Sequence, residues 1–264
     1  MRRTLFSLLL AGLLPFCAPA QPKGLYLGLQ GGLSIPSLKS GETKNDWNKN
    51  YESRLGPYFG ILAELQITRH LSFQPELNYA AEGGRRNGIQ PMSIPEEYLQ
   101  AFQQGLHTDK DYVYADLKSV SRINYILLPL QLKYTYPLAL KGRFAVFAQA
   151  GPNIGYMVMS KQVVKAKTLR VYLDDAGTQE IPPALVKAFF GTSVDTTLDA
   201  KDELHRWNVG IQGALGFSLQ LGKSKIFIEG GGNYGFIPIQ KSDAHGKNNI
   251  GAATIAVGYA MNIR

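Results

Sequence analysis

The sequence predicts an all-β fold, an eight-stranded antiparallel up-and-down transmembrane β-barrel with long external loops that carry short helices. Three observations predict it: segments in which apolar and small polar residues alternate, few charges on either face of these segments, and connections of alternating length. Residues 207–239 show the pattern most clearly, as two arms joined by the turn Gly222-Lys223-Ser224. Alternation gives each strand one apolar face. A closed sheet with that face outward satisfies its own backbone in lipid.

Eight alternating segments follow one another along the chain, and each has one apolar face. They are residues 24–36, 54–67, 71–82, 122–136, 143–157, 207–221, 225–236 and 250–264. Their apolar faces are carried in that order by Leu27, Leu29 and Leu33; Phe59, Ile61 and Leu65; Leu71, Phe73 and Leu77; Leu128, Leu130 and Leu132; Phe144, Val146 and Ile154; Val209, Ile211 and Leu215; Ile226 and Ile228; and Ile255, Val257 and Tyr259. The opposite faces hold mainly Gly, Asn, Gln and Ser, which suits an enclosed interior.

The connections between these segments alternate between long and short. The long ones, at about 37–53, 83–121, 158–205 and 240–249, are the predicted external loops. Bacterial single-chain barrels have an even number of strands, long external loops and short periplasmic turns. A soluble sandwich or lipocalin would instead turn its apolar face inward and place charge outside.

Four prolines interrupt the predicted strands, at Pro57, Pro75, Pro129 and Pro152. Each removes a hydrogen-bond donor from the ladder, and a closed barrel has no edge at which to place it. We therefore expect β-bulges or local bends at these positions, and a loss of register at one of them would reverse the predicted faces of that strand.

The N-terminus has the pattern of a secretory signal peptide: a basic start, an apolar core of about a dozen residues, and the cleavage site Ala18-Pro19-Ala20. We expect residues 1–20 to be removed after Ala20 and residues 21–264 to form one outer-membrane barrel domain. Cleavage there also removes Cys17, so neither a disulfide nor a thiol nucleophile is expected in the mature chain.

The formal net charge is +8, and most of the excess lies in predicted loops. Basic outer loops suit contact with anionic lipopolysaccharide, and ordinary solvated loop charge explains them equally well. No nucleic-acid motif accompanies the charge, so nucleic acid is not an expected partner of this exported chain.

Several segments resemble the PorT-type outer-membrane β-barrel family of Bacteroidetes. They are Gly24-Leu-Tyr-Leu-Gly-Leu-Gln-Gly-Gly, Phe73-Gln-Pro-Glu-Leu-Asn-Tyr, Ile126-Leu-Leu-Pro-Leu-Gln-Leu-Lys-Tyr and Phe147-Ala-Gln-Ala-Gly-Pro-Asn-Ile-Gly-Tyr. The resemblance implies a multi-pass barrel in the outer membrane of a Gram-negative bacterium, and a role accessory to protein secretion. It supplies no catalytic motif. The closing Gly258-Tyr-Ala-Met261-Asn-Ile263 resembles the terminal signal that barrel-assembly machinery recognises, so that machinery is an expected partner during biogenesis.

Charged and amide side chains on the inner faces predict a polar network in the lumen. Its members are Glu64, Gln74, Glu76, Lys133, Gln149 and Glu229. The carboxylates share a narrow space with one lysine, so they are expected to share hydrogen bonds or protons. One interpretation of this network is a polar core whose groups are all hydrogen-bonded and which plugs the barrel. The other interpretation is a gate or a proton-sensitive pore.

Two external loops contain related segments with the pattern Ile-Pro-x-x-apolar-apolar-x-Ala-Phe, beginning at Ile94 and Ile181. Proline suits the first turn of a helix, so each is predicted to be a short helix. Helical spacing gives each one apolar stripe, formed by Ile94, Tyr98 and Phe102 and by Ile181, Leu185 and Phe189. The stripes either pack together as a lid, pack on the barrel mouth, or bind a protein partner.

No catalytic, cofactor-binding or metal-ligating residue is predicted, and no cofactor is expected. The four histidines are scattered, and the chain has no nucleophile elbow, zincin motif or phosphate loop. His107 beside Asp109 and Asp111, and His205 beside Asp202 and Glu203, are the groups from which a surface hydrolase could be built. We expect a non-enzymatic structural or interaction protein of the outer membrane. The alternatives are a barrel enzyme acting on lipid or peptide, and a small-solute pore.

Overall fold

The computed structural model describes residues 24–40, 46–47, 50–106, 109–138, 143–242 and 247–264. The predicted signal peptide, His107 and His245 lie outside the described residues. The strands are β1 Leu25–Ser40, β2 Glu52–Ser53, β3 Gly56–Gln66, β4 Leu71–Ser93, β5 Tyr112–Pro137, β6 Phe144–Ala166, β7 Val171–Tyr172, β8 Val194–Asp199, β9 Trp207–Leu221, β10 Ser224–Gly235 and β11 Asn248–Asn262. The helices of the described part are α1 Glu96–Leu106 and α2 Pro183–Phe190, and neither is long and apolar enough to cross a membrane.

Eight of the strands pair side by side into a closed ring in the order β1, β3, β4, β5, β6, β9, β10 and β11, and β11 pairs back to β1. Each of these pairs is antiparallel. The predictions of an all-β fold and of eight principal strands are confirmed. Closure matters because a ring leaves none of its backbone donors and acceptors at an open edge.

Three ring strands continue well beyond their predicted ends. β4 runs to Ser93, β5 starts at Tyr112, and β6 runs to Ala166, so much of the predicted loops 83–121 and 158–205 is paired strand. The short strands β2, β7 and β8 pair with β4, β5 and β6 respectively. We call these continued ends, with β2, β7, β8, α1 and α2, the extension. Its outward positions carry exposed charged residues such as Arg85, Lys118 and Lys165 in place of the apolar residues of a lipid-facing strand.

The alternation of the sequence matches the two faces of the ring. Leu29 is 63% exposed on the outside, whereas its neighbour Gln30 is 3% exposed in the lumen. Outward aromatic side chains include Trp207 and Phe217 on β9. These two lie ten positions apart. At about 3.3 Å per residue and a tilt of about 40°, their separation corresponds to about 25 Å, the height of the apolar band of outer-membrane barrels. Soluble monomers rarely expose a contiguous apolar surface that extends around the molecule in this way.

The prolines do not shift the register, so the bulges expected at these positions are not present. Ladder positions are missing beside Pro75, Pro129 and Pro152, yet the numbering of the pairs continues unchanged across each gap. Pro57 pairs in register with Leu33. The one shift between β5 and β6 lies at Asn124/Tyr125. Lost donors are therefore accommodated by locally open ladder positions, without an inserted residue.

Candidate functional site

The lumen is the first candidate site, and all six predicted network residues lie in it. Period-two alternation points them inward from five strands of the ring, and none is more than 5% exposed. They are Glu64 on β3, Gln74 and Glu76 on β4, Lys133 on β5, Gln149 on β6 and Glu229 on β10, five strands in all.

Glu64 lies between two lysines. Its Oε2 is 3.0 Å from the Nζ of Lys133 and 2.6 Å from the Nζ of Lys225. Lys133 also donates to Gln74 Oε1 (2.9 Å) and lies 4.0 Å from the centre of the Phe147 ring. Two cations therefore neutralise one enclosed carboxylate. The ring of Phe147 makes an additional cation–π contact with Lys133.

Glu76 is held by amides and not by a lysine. Its oxygens accept hydrogen bonds from Gln74 (2.7 Å), Asn78 (2.7 Å), Gln131 (2.9 Å) and Gln30 (3.0 Å). Four donors fill the acceptor capacity of an ionised carboxylate. The prediction that the carboxylates share one lysine is therefore incomplete: each has its own donors, and Glu229 accepts from Gln149 at 3.1 Å.

Sequence reasoning missed several members of the network. Lys225, Gln30, Tyr58, Asn78 and Gln131 are all buried. Tyr58 lies near the centre of the lumen, where its hydroxyl accepts hydrogen bonds from Asn78 (2.7 Å) and Gln212 (3.3 Å). Inward position in the alternation was the available signal, and it applies to every polar residue on those faces.

These bonds join strands across the lumen as well as neighbouring ones, so the polar side chains fill it. A cavity beside Glu82 and Asn233 has a volume of about 20 Å³. That is about the space of one water molecule. The arrangement can fix the ring in one register and obstruct the passage of solutes.

The extension contains a second, apolar cluster, and it brings both predicted stripes together. Ile94, Phe102 and Ile181 are buried. The Phe189 ring lies 5.4 Å from that of Tyr98 and 5.2 Å from that of Phe102. Leu185 departs from the stripe.

Leu185 is 42% exposed, and the next residue, Val186, is buried in its place. α2 starts at Pro183, and with this phase Val186, Phe189 and Phe190 form its packed side. The predicted stripe was one residue out of phase at this position.

An ion pair fixes the hairpin beside β7. Arg170 donates through Nε and Nη2 to the two carboxylate oxygens of Glu180, at 3.0 and 2.9 Å. The hydrogen bonds from Arg170 hold the pKa of Glu180 below its ordinary value.

In the described part of the chain, the histidines and their acidic neighbours do not form a catalytic or metal-binding site. His205 is exposed, and the neighbouring Asp202 pairs with Arg206 at 3.2 Å. His70 places Nδ1 3.0 Å from the carbonyl oxygen of Thr135. Within the described ranges, no three His, Cys, Asp or Glu side chains are grouped as metal ligands.

A closed ring with an apolar outside and a hydrogen-bonded polar lumen defines a class, the β-barrels of outer membranes. The family model described as "Outer membrane protein beta-barrel domain" matches residues 19–241. The chain therefore belongs to that family.

Solved structures that are similar to the chain share little sequence with it. Neisserial surface protein A is 12% identical with a TM-score of 0.39, over 91% of this chain and 98% of its own. OprG from Pseudomonas aeruginosa is 10% identical with a TM-score of 0.40, over 91% and 96%. The outer membrane protease OmpT from Escherichia coli is 8% identical with a TM-score of 0.34, over 92% and 98%. The chain has no significant match among curated proteins.

Proposed function

We propose that the chain, after removal of residues 1–20, is an up-and-down barrel spanning the outer membrane of a Gram-negative bacterium. Its function is non-enzymatic: it is a structural or interaction protein with a closed lumen that presents the extension at the cell surface. The observation that carries this proposal is the pairing of a plugged lumen with an independently packed extension. A pore would need an open path, and the bonds around Glu64, Glu76 and Tyr58 fill the space in which that path would run.

The extension supports an interaction role because it is large and rigid. β4, β5 and β6 carry it as continuous strands, and the apolar cluster of α1 and α2 fixes its shape. Rigid elements that raise a surface above the membrane lower the entropic cost of binding a partner.

A role accessory to protein secretion is part of this proposal, and its support is the resemblance to the PorT-type family. Deletion of the coding region is expected to leave exported proteins in the periplasm while outer-membrane lipid remains unchanged. Normal secretion in the deletion strain would remove this part of the proposal alone.

Planar-bilayer recording tests the closed lumen. The purified protein is expected to give no stepwise conductance at moderate voltage, and a regular unit conductance would favour the pore instead. Co-purification from outer membranes tests the interaction role, with a matched protein in which residues 167–193 are replaced by a short Gly-Ser linker. A partner that is retained equally by both proteins would contradict a role for the extension.

The enzymatic alternative is tested on the same preparation. Hydrolysis of lipid or peptide substrates that disappears in His107→Ala or in His205→Ala would overturn the non-enzymatic assignment. The matched control is His70→Ala, because the ring of His70 contacts the backbone of Thr135 and belongs to neither predicted histidine group.

A further inference from the structure

A cavity of about 700 Å³ lies between the extension and the adjoining end of the ring. Residues of four neighbouring strands line it. They include Gln90 on β4, Leu117 and Ser119 on β5, Ser160 on β6 and Val194 on β8. Leu204, Ile239 and Asn248 close the opposite side. The volume lies within the range of small-ligand sites.

The lining is uncharged where it is buried. Gln90, Ser119, Ser160 and Asn248 supply buried amide and hydroxyl groups, and Leu117, Ile123, Leu204 and Ile239 supply buried apolar surface. The charged residues that line it, Lys161, Asp202, Glu203 and Lys241, are all exposed and lie at its rim. An ionic ligand would leave its charge unpaired inside such a site, which is unfavourable because a buried charge needs a partner.

One buried polar atom of the lining has no partner. Asn248 is 2% exposed, and its Oδ1 accepts no hydrogen bond. Its main-chain N–H donates to Gln240 Oε1 at 2.7 Å, which fixes the backbone of the residue. A buried acceptor without a donor is costly, and a ligand hydroxyl that enters the cavity would satisfy it.

Two aromatic residues also line the cavity, Trp47 and Tyr51. The Trp47 ring packs edge to face on Tyr112, with centroids 5.5 Å apart. Burial raises the pKa of Tyr51, whose hydroxyl is hydrogen-bonded to Ser121. Aromatic faces carry partial negative charge and attract the polarised C–H groups of a ligand ring.

We propose that this cavity binds an uncharged saccharide unit of a surface glycan. A sugar has hydroxyls around its edge and C–H groups on its faces. It therefore matches a lining of amides, hydroxyls, apolar side chains and aromatic rings. An extended peptide fits less well, because peptides bind sheets along an open backbone edge and this cavity is walled by the side chains of a sheet face.

The test uses the full mature chain in detergent micelles and the fluorescence of Trp47. The chain has two tryptophans, so Trp207→Phe leaves Trp47 as the reporter. The probes are neutral hexasaccharides of α-glucan, β-glucan, mannan, galactan and N-acetylglucosamine, with a sulfated glucan and an uncharged hexapeptide for comparison. At least one neutral probe is expected to change the Trp47 emission saturably. Binding of none of the five, or binding of only the sulfated glucan or the peptide, would overturn the proposal.

Two variants locate the binding site, each first checked for native circular dichroism. Asn248→Leu is expected to weaken binding about tenfold, because the ligand loses a buried acceptor. Its matched control is Asn153→Leu: Asn153 also has an unpartnered buried Oδ1, but it lines the 20 Å³ cavity instead. Should Asn248→Leu misfold, Trp47→Ala replaces it, with calorimetry as readout and at least tenfold weaker binding expected. Equal affinity of site variant and control would place the ligand elsewhere.

This inference rests on the proposed function only for the placement of the cavity at the cell surface. Binding in micelles does not depend on that placement or on a protein partner. A failed saccharide titration therefore leaves the conductance and co-purification results standing, and their failure leaves the titration interpretable.

Discussion

At the scale of single residues, Glu64 decides the electrostatics of the lumen. It is the one acid in the described lumen that pairs with both Lys133 and Lys225, at 3.0 and 2.6 Å. Losing one lysine leaves the other in place, whereas losing the acid leaves two buried cations without it. The acid is therefore the more sensitive position.

We predict that Glu64→Gln lowers the free energy of unfolding by about 3–5 kcal/mol, the cost typical of breaking a buried pair from one side. Lys133→Met is expected to cost less, because Lys225 still neutralises Glu64. Urea unfolding in detergent or lipid measures both. The control is Lys165→Met, which removes an ion pair to Asp195 whose side chains are 58% and 71% exposed, and no measurable change is expected there. Equal stability of Glu64→Gln and wild type would contradict the network.

Gly32 provides a second test at this scale, because the strands β1 and β11 approach closely around it. A Cβ on Gly32 would overlap the backbone oxygen of Ile255, whereas a Cβ on Gly31 meets nothing within 4 Å. Gly32→Ala is expected to destabilise the ring by about 1–3 kcal/mol, as overpacking does. Gly31→Ala, at the adjacent position, is the control. Unfolding curves that coincide for the two variants would mean that the strands can separate freely here.

At the scale of elements, the extension is a small core of its own. α1 and α2 pack on β5 through Phe102 and Val186. This apolar cluster shares no buried residue with the polar network of the lumen. Local opening of the extension is therefore expected to leave the ring intact.

We predict that Phe102→Ala makes the extension sensitive to protease. Phe102 is buried and its ring contacts those of Phe189 and Phe190, so truncation is expected to cost about 3–5 kcal/mol of local stability. Limited proteolysis of the folded protein in detergent, read by mass spectrometry, is the measurement. Leu185→Ala is the matched control, since that side chain is 42% exposed. Cleavage in both variants at the same rate would show that the helices do not hold the extension.

At the scale of the whole molecule, the apolar outer surface of the ring, which we call the belt, sets the position in a membrane. Trp207 is outward and 61% exposed at one end of that belt, whereas Trp47 belongs to the lining of the extension. Aromatic girdles of outer-membrane barrels lie at the two membrane interfaces. The two tryptophans should therefore report different environments.

We predict that lipids brominated near the headgroup quench the emission of wild-type protein strongly and that of Trp207→Phe weakly. The physical reason is that bromine quenches only rings it touches, and Trp47 lies above the belt. Trp47→Phe is the control and should retain the quenching. Equal quenching of the two variants would contradict the proposed membrane position.

Most of the ring could be predicted from the sequence, whereas the contacts within the lumen and the extension could not. The exposed Leu29 and the enclosed Gln30 follow from the pleat of a strand, which reverses the side-chain direction at every residue. The same rule placed Glu64, Glu76 and Lys133 in the lumen. The rule did not predict the continued ends of β4 and β6, which run to Ser93 and Ala166, because these ends lack the apolar alternation of lipid-facing strands.

The sequence by itself determined which face of each strand is apolar, how many principal strands there are, and that two loops carry helices. Only the tertiary structure decided the partners: Lys225 and Glu64 are 161 positions apart, and Gln212 and Tyr58 are 154 apart. Closure of the ring also brought Asn248 opposite β5 and β6 to enclose the cavity. The physical reason is that facing is a local property of the backbone, whereas contact across the ring depends on register and closure, which no single segment encodes.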